Sequence, residues 1–422
     1  MKKIPIRQGI DTLVPSATLL INERSKQLAS EGKKIYRLGF GQSPFPVPEE
    51  VVTALTKSAH EKDYLPVQGL LQLRKAVARH FSTHYGLTYD ESRIMIGPGS
   101  KELILGLQMV CDADLLLPSP SWVSYEPQAQ IVGSSVHWIN TSQKENWLAS
   151  PEKLAEACTI NPERQKILIL NYPSNPVGSS YSVDELKALA EVCRKYHVLV
   201  IADEIYGALT YSGDHHSLAE FYPEGTVVSG GLSKWCGAGG WRLGTFCFPE
   251  ELRHVLNAMM ALASESFSAV SAPVQYAAIT AFDGSVEIEK YLRNSRIILK
   301  IVSEYVHDQL SEMKVTMPKA QGGFYLFPDF SEYHSTLEHR GIKTSTEFCE
   351  KLLNETGIAL LPGVAFGRPE NELTCRLSFV DFDGAKLLQL VDNQTDPNAD
   401  TILDNCPAIT ESMNTLRGWL KQ

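Results

Sequence analysis

The chain has 422 residues, with 39 Lys+Arg against 49 Asp+Glu, a formal net charge of −10, and 43% hydrophobic to 21% charged residues. That composition is ordinary for globular protein, long enough for two to four units at about 100–200 residues each and able to bury a core without disulfides or metals. The acidic balance argues against a general nucleic-acid binder, and eight scattered cysteines with no CxxC pair argue against a zinc ribbon or redox dithiol and for a cytoplasmic protein.

The N-terminal Met1–Ser16 is basic at its start but is followed by no sustained apolar region, so a signal peptide is not expected. No uninterrupted apolar stretch of about 18 residues occurs, so no membrane span is expected either. Residues 1–45 hold a helix and a loop, too little core to stand alone.

From there strand-like and helix-like segments alternate. Arg93–Ile96 is a short strand ending at Gly97-Pro98, Ser100–Val110 a helix, and Asp114–Leu117 a strand. Lys166–Leu170 is a dense apolar run closed by the turn-rich Asn171-Tyr-Pro-Ser-Asn-Pro. Ser182 and Glu185 form a capping box for a helix with Leu186, Leu189, Ala190 and Cys193 on one face. His197–Ala202 is a continuous apolar run, as in a strand buried on both faces. Thr226–Ser229 and Leu243–Phe248 follow as short strands. Such alternation predicts an α/β domain with a largely parallel sheet.

The texture changes after about residue 285. A long helical pattern covers Val286–Met313, with Arg293, Arg296 and Lys300 on its polar side. Gly323–Phe327, a helix near Thr346–Thr356 and a strand around Thr374–Val380 suggest a smaller α+β unit. In Asp392–Pro407 the acids Asp392, Asp396, Asp400 and Asp404 stand four apart. That spacing departs from the alternating pattern of a calcium loop, so the segment is read as a solvated surface loop. A helix over Ala408–Leu420 closes the chain.

The segment Ser229-Gly-Gly-Leu-Ser-Lys-Trp-Cys-Gly-Ala-Gly-Gly-Trp-Arg-Leu-Gly244 sets Lys234 among glycines, where a ligand can approach the backbone closely. It matches neither a P-loop nor a dinucleotide fingerprint. It resembles the lysine motif of the class I/II, fold type I pyridoxal-phosphate-dependent aminotransferases. Asn171-Tyr-Pro-Ser-Asn-Pro-Val-Gly178, Ala202-Asp-Glu-Ile-Tyr206 and Arg376-Leu-Ser-Phe379 resemble further motifs of that family, in the same order.

The resemblance implies a large domain over 46–290, with a mostly parallel seven-stranded sheet between helices. The smaller α+β domain would combine 1–45 with 291–422. It implies pyridoxal 5'-phosphate as cofactor and exchange of an amino group between an L-amino acid and a 2-oxo acid. Lys234 would form the Schiff base and, once freed, move the substrate proton as an amine of lowered pKa. Asp203 would pair with the ring nitrogen and keep it protonated. Asn175 and Tyr206 would donate to the phenolic oxygen. Arg242 would clamp the phosphate, together with the Gly99-Ser100-Lys101 turn at a helix start. Lys101 itself would meet either phosphate or solvent. Trp122 would stack on the ring. Arg376 would take the substrate α-carboxylate in two parallel bonds, aided by the Gly41 backbone. Tyr64, with Ser268 or Ser271, would reach a neighbouring subunit's site, which implies a homodimer.

Three departures bear on specificity. Many relatives carry a hydroxyl residue where Gly231 stands, and Ser233 is instead adjacent to Lys234. No arginine occurs from His254 to Leu292, where one dicarboxylate-specific group supplies one across the dimer. A lysine used by another such group is replaced by Ser100. Phe324-Tyr-Leu-Phe and Pro15-Ser-Ala-Thr18 still resemble the subgroup that includes aspartate, aromatic and prephenate enzymes. The expectation is therefore a transaminase of open side-chain preference. A C–S β-lyase on the same fold is the alternative, and a non-catalytic sensor is disfavoured because no DNA-binding segment is evident.

Overall fold

The computed structural model describes residues 4–6, 9–393 and 398–422. Seven strands form the main sheet: β1 (Ile94–Gly97), β2 (Ala113–Ser119), β3 (Val136–Asn140), β4 (Gln165–Asn171), β5 (Leu199–Asp203), β6 (Thr226–Gly231) and β7 (Gly244–Cys247). Their spatial order is β1-β7-β6-β5-β4-β2-β3. Only β7 runs antiparallel to its neighbours; β2, β3, β4, β5 and β6 pair in parallel.

Central strands are apolar on both faces because both are covered. Leu115, Leu117, Ile167, Ile169 and Ile201 pack toward helices Ser100–Val110 and Arg253–Ser264. The alternate residues Leu116, Leu168, Leu170 and Val200 pack toward helices Pro151–Cys158 and Val183–Lys195. This period of two with no polar face is what a doubly covered parallel sheet requires. The capping box at Ser182 and Glu185 is present, and the four residues assigned to the inner face of that helix are buried. The strand placed from His197 begins two residues later, because His197 holds a φ of +52° in the turn that enters it.

Helix Val286–Glu312, capped by Ser285, has 27 residues and leads from this sheet to a second one. The second sheet is antiparallel, in the order β8 (Tyr325–Leu326), β10 (Cys375–Ser378), β9 (Leu361–Pro362). The N-terminal segment docks on these C-terminal elements. Tyr36 bridges Ile358 in parallel, and Leu38 accepts a backbone bond from Ser378. Gly39 and Gly41 are thereby carried to the edge of the main sheet.

The Asp392–Pro407 reading needs correction. Ala399–Asp404 is a helix capped by Asn398, and Ile402 and Cys406 are fully buried. Ile402 on the helix and Cys406 at the start of the next one anchor the segment in the core despite the polar composition around them. Asp392 is occupied by Lys290 at 3.0 Å. Asp396 lies outside the described residues.

Candidate active site

The carboxyl ends of the parallel strands converge on one cavity of about 600 Å³. In open α/β sheets this edge is where ligands are held, because loops and helix starts gather there. In the β4–β5 and β5–β6 registers, Asn171 stands opposite Asp203 and Asp203 opposite Ser229. The segment after β6 brings Lys234, the turn before β7 brings Arg242, and the turn after β1 brings Ser100 and Lys101. The segment after β2 supplies Trp122, and the second sheet supplies Arg376.

The cavity is therefore lined by Ser100, Lys101, Trp122, Asn175, Asp203, Tyr206, Lys234, Arg242, Gly41 and Arg376, residues scattered over more than 300 positions of sequence. Ser233 lines it too. Gly99 sits directly behind, at φ +93°, where a Cβ would fall 2.2 Å from Arg242 Nη2. Only a glycine allows the guanidinium to lie against this turn. Tyr64 is not at the cavity and is 97% exposed, and Ser268 and Ser271 are exposed elsewhere.

Asp203 is buried, and burial raises its pKa to about 6 against the opposing hydrogen bond from Tyr125. Tyr125 donates to Asp203 Oδ2 at 2.5 Å. Oδ1 is inaccessible to solvent and forms no full hydrogen bond among the described residues, although the Ser229 hydroxyl and the Ile205 N–H stand near enough to steady the carboxylate. A buried carboxylate on a residue that lines a cavity is a site for a cationic donor. Asn171 ties the strand ends together: its amide donates to Asp203 O at 2.7 Å, and its oxygen accepts from the Asn175 backbone at 2.7 Å.

Arg376 is 2% exposed. Nη1 donates to Asn175 Oδ1 at 3.1 Å and Nη2 to Gly39 O at 2.9 Å, while Nε is unsatisfied. Among the described residues no carboxylate pairs with it, and burial lowers its pKa. Lys234 Nζ donates to Gly41 O at 2.8 Å and lies 5.3 Å from the centre of the Tyr206 ring. Arg242 is held by Gly239 O at 3.0 Å and Pro98 O at 3.2 Å. Lys101 lies at the cavity mouth, with its ammonium 5.0 Å over the Trp122 ring. Partial burial, then repulsion from Arg242 and Lys234, lowers its pKa. Four cations thus share a cavity whose lining holds one acid, Asp203.

The glycine at 231 has a steric cause. At φ +148° a Cβ there would lie 2.6 Å from Leu243 O, because β6 and β7 pair closely at Gly231 and Gly244. No hydroxyl residue fits that backbone. Sequence reading missed Tyr125, Asn171 and Tyr325. Tyr125 stands three residues after Trp122, but no local pattern shows that it reaches Asp203, 78 positions away.

The profile of the family described as aminotransferase class I and II matches residues 33–392. An aspartate aminotransferase of Geobacillus stearothermophilus is 36% identical over 384 residues, covering 89% of this chain and 94% of that protein. An asparagine–oxo-acid transaminase of Streptococcus mutans is 31% identical over 375 residues, covering 86% and 92%. Among solved structures, Thermus thermophilus aspartate aminotransferase with maleate superposes with a TM-score of 0.83 at 24% identity, covering 98% of this chain and all of that one.

Proposed function

The chain belongs to the class I and II aminotransferases, and from that membership we propose a pyridoxal-phosphate-dependent transaminase of dicarboxylic amino acids, with Lys234 as its reactive amine. Pyridoxal 5'-phosphate, when bound, supplies an aldehyde for the amino group and a ring that draws electrons from the substrate Cα. The cavity fits that group. The unpartnered Asp203 Oδ1 suits a protonated ring nitrogen, and the Gly99 turn with Arg242 suits a phosphate. Trp122 would flank the ring, and Tyr206 and Asn175 would donate to its phenolic oxygen.

Arg376 and the Gly41 backbone hold the α-carboxylate, which fixes the Cα beside Lys234. Lys234, as the free amine, would take the proton from that Cα and return it on the cofactor side. Gly41 O orients the free amine for this transfer, through the 2.8 Å bond.

One observation carries the dicarboxylate reading: Lys101 is the cation left over. With Arg242 given to phosphate, Arg376 to the α-carboxylate and Lys234 to the aldehyde, Lys101 alone has no anion, and it forms no ion pair among the described residues. Relatives named as aspartate and asparagine transaminases support the choice. A charge-assisted bond is worth about 1.5–3 kcal/mol, so Lys101→Gln should raise KM for aspartate about tenfold or more and leave KM for alanine within about twofold. Equal change for both donors would return Lys101 to the phosphate and refute the reading.

The same proposal divides the chain into a large unit over 46–290 and a small unit made of 1–45 and 291–422. The Tyr36 and Leu38 backbone contacts with C-terminal strands support the second. It makes the enzyme a cytoplasmic homodimer in which Tyr64 reaches the partner's phosphate. The exposure of Tyr64 and eight free cysteines support that reading, and sedimentation tests the dimer.

A further inference from the structure

Tyr325 touches both halves of the site. It is 1% exposed, on β8, paired with Ser378 of β10. Its hydroxyl lies 3.0 Å from the Tyr206 hydroxyl and 3.5 Å from Gly41 O, the carbonyl that also holds Lys234. Its ring face lies 4.6 Å from the guanidinium carbon of Arg376. A Cβ on residue 41 would stand 2.0 Å from the Tyr325 hydroxyl oxygen. Gly41 is therefore a glycine because Tyr325 fills the space a side chain would need.

The proton count fixes the direction of the phenol pair. Each phenol has one proton. If Tyr206 spends its proton on the cofactor oxygen, its own oxygen can only accept. The Tyr325 proton must then go to Tyr206, and the longer contact to Gly41 O is secondary. A donor behind a donor strengthens the outer bond by about 10–30% in a low-dielectric site. Meanwhile a cation over an aromatic face is attracted by the ring itself, with no need of the hydroxyl.

We propose that Tyr325 is a positioning residue with two separable parts: its hydroxyl polarises Tyr206 toward the cofactor oxygen, and its ring is the shelf that orients Arg376 toward the substrate carboxylate. This deepens the transaminase reading and rests on it. The two parts join the proton-moving end of the site to the carboxylate-binding end through one buried side chain.

Tyr325→Phe removes the hydroxyl and keeps the ring. The cofactor-loaded enzyme without substrate is titrated by absorbance, and the pH midpoint of the lysine-linked band is read. A weaker Tyr206 donor leaves more negative charge on the cofactor oxygen, which holds the neighbouring imine proton more tightly. The midpoint should rise by about 0.3–0.6 pH units, with kcat down several-fold and KM for the amino acid within about twofold. Tyr325→Leu removes the ring as well and should raise KM about tenfold. If Tyr325→Phe melts earlier but leaves the midpoint and kcat unmoved, the hydroxyl is only structural and the proposal fails. If Tyr325→Phe raises KM as much as Tyr325→Leu, the division into two parts is wrong. Absence of any lysine-linked band in the unaltered enzyme would instead overturn the transaminase reading itself.

Discussion

Tyr125→Phe tests how the buried carboxylate is held. The phenol donates to Asp203 Oδ2 at 2.5 Å, and both residues are buried. Burial raises the Asp203 pKa to about 6, and the Tyr125 bond is the first of the influences that restrain it. A hydrogen bond to a charged acceptor is worth about 1.5–3 kcal/mol, so losing about 2 kcal/mol moves the carboxyl midpoint up by about 1.5 pH units. In the proposed pairing the protonated ring nitrogen would require the carboxylate, so an apoenzyme with neutral Asp203 would have to release that proton before binding. Weighting the two protonation states gives an affinity loss, variant against unaltered enzyme, of about fourfold at pH 7, about fifteenfold at pH 6 and little at pH 8. The ratio at each pH cancels the cofactor's own titration. Trp122 lines the cavity, so quenching of tryptophan fluorescence during titration of apoenzyme with pyridoxal 5'-phosphate reads the affinity. A loss equal at all three pH values would mean that Tyr125 only packs. No loss at pH 6 would mean that Asp203 is not the ring's partner.

The cofactor-free enzyme carries a related cost. Asp203 has its pKa raised from 3.8 to about 6, so its contribution to stability is intact below about pH 4 and is lost as pH rises through 6. By pH 7 the loss is about 3 kcal/mol, and Asp203→Asn should therefore melt higher than the unaltered apoenzyme at pH 7 while binding cofactor more weakly, as calorimetry and titration can show. Lys234→Ala should abolish the lysine-linked absorbance and lower turnover by about a thousandfold or more; a variant with normal spectrum and rate would sink the assignment. Arg376→Ala should raise KM for the amino donor with the cofactor spectrum retained, and loss of cofactor instead would place that arginine on the wrong ligand. At the opposite end of the sheet, Lys166 and Asp114 are buried cross-strand partners at 3.3 Å, with His137 also on the carboxylate at 2.9 Å. Arg164 and Asn161 also reach that carboxylate, at 3.5 and 3.3 Å, so Lys166→Met leaves it partly paired and should cost about 1–3 kcal/mol in denaturant unfolding without touching the site.

Much of the fold is local in origin, and so it is legible in the chain. The Ser100–Val110 helix, the Ser182 capping box and the doubly apolar strands all follow from neighbours within a few residues. The residues that line the cavity are legible too, because several sit in short stretches rich in glycine, proline and polar side chains. Lys234 among glycines and Asp203 at the end of an apolar strand are of this kind.

What the sequence alone determined is the inventory of reactive groups and the rhythm of the elements that carry them, since both depend on contacts close along the chain. Tertiary structure decided which groups meet. It set Tyr125 against Asp203, brought Tyr325 between Tyr206 and Arg376, and carried Gly39 to Arg376 and Gly41 to Lys234 from the N-terminal segment. It also forbade a side chain at Gly231 and turned a polar stretch near the C-terminus into a short helix anchored by the buried Ile402. These outcomes join residues tens to hundreds of positions apart. Burial then left an aspartate and an arginine that line the cavity each with an unpartnered polar atom, which no local pattern of residues can specify.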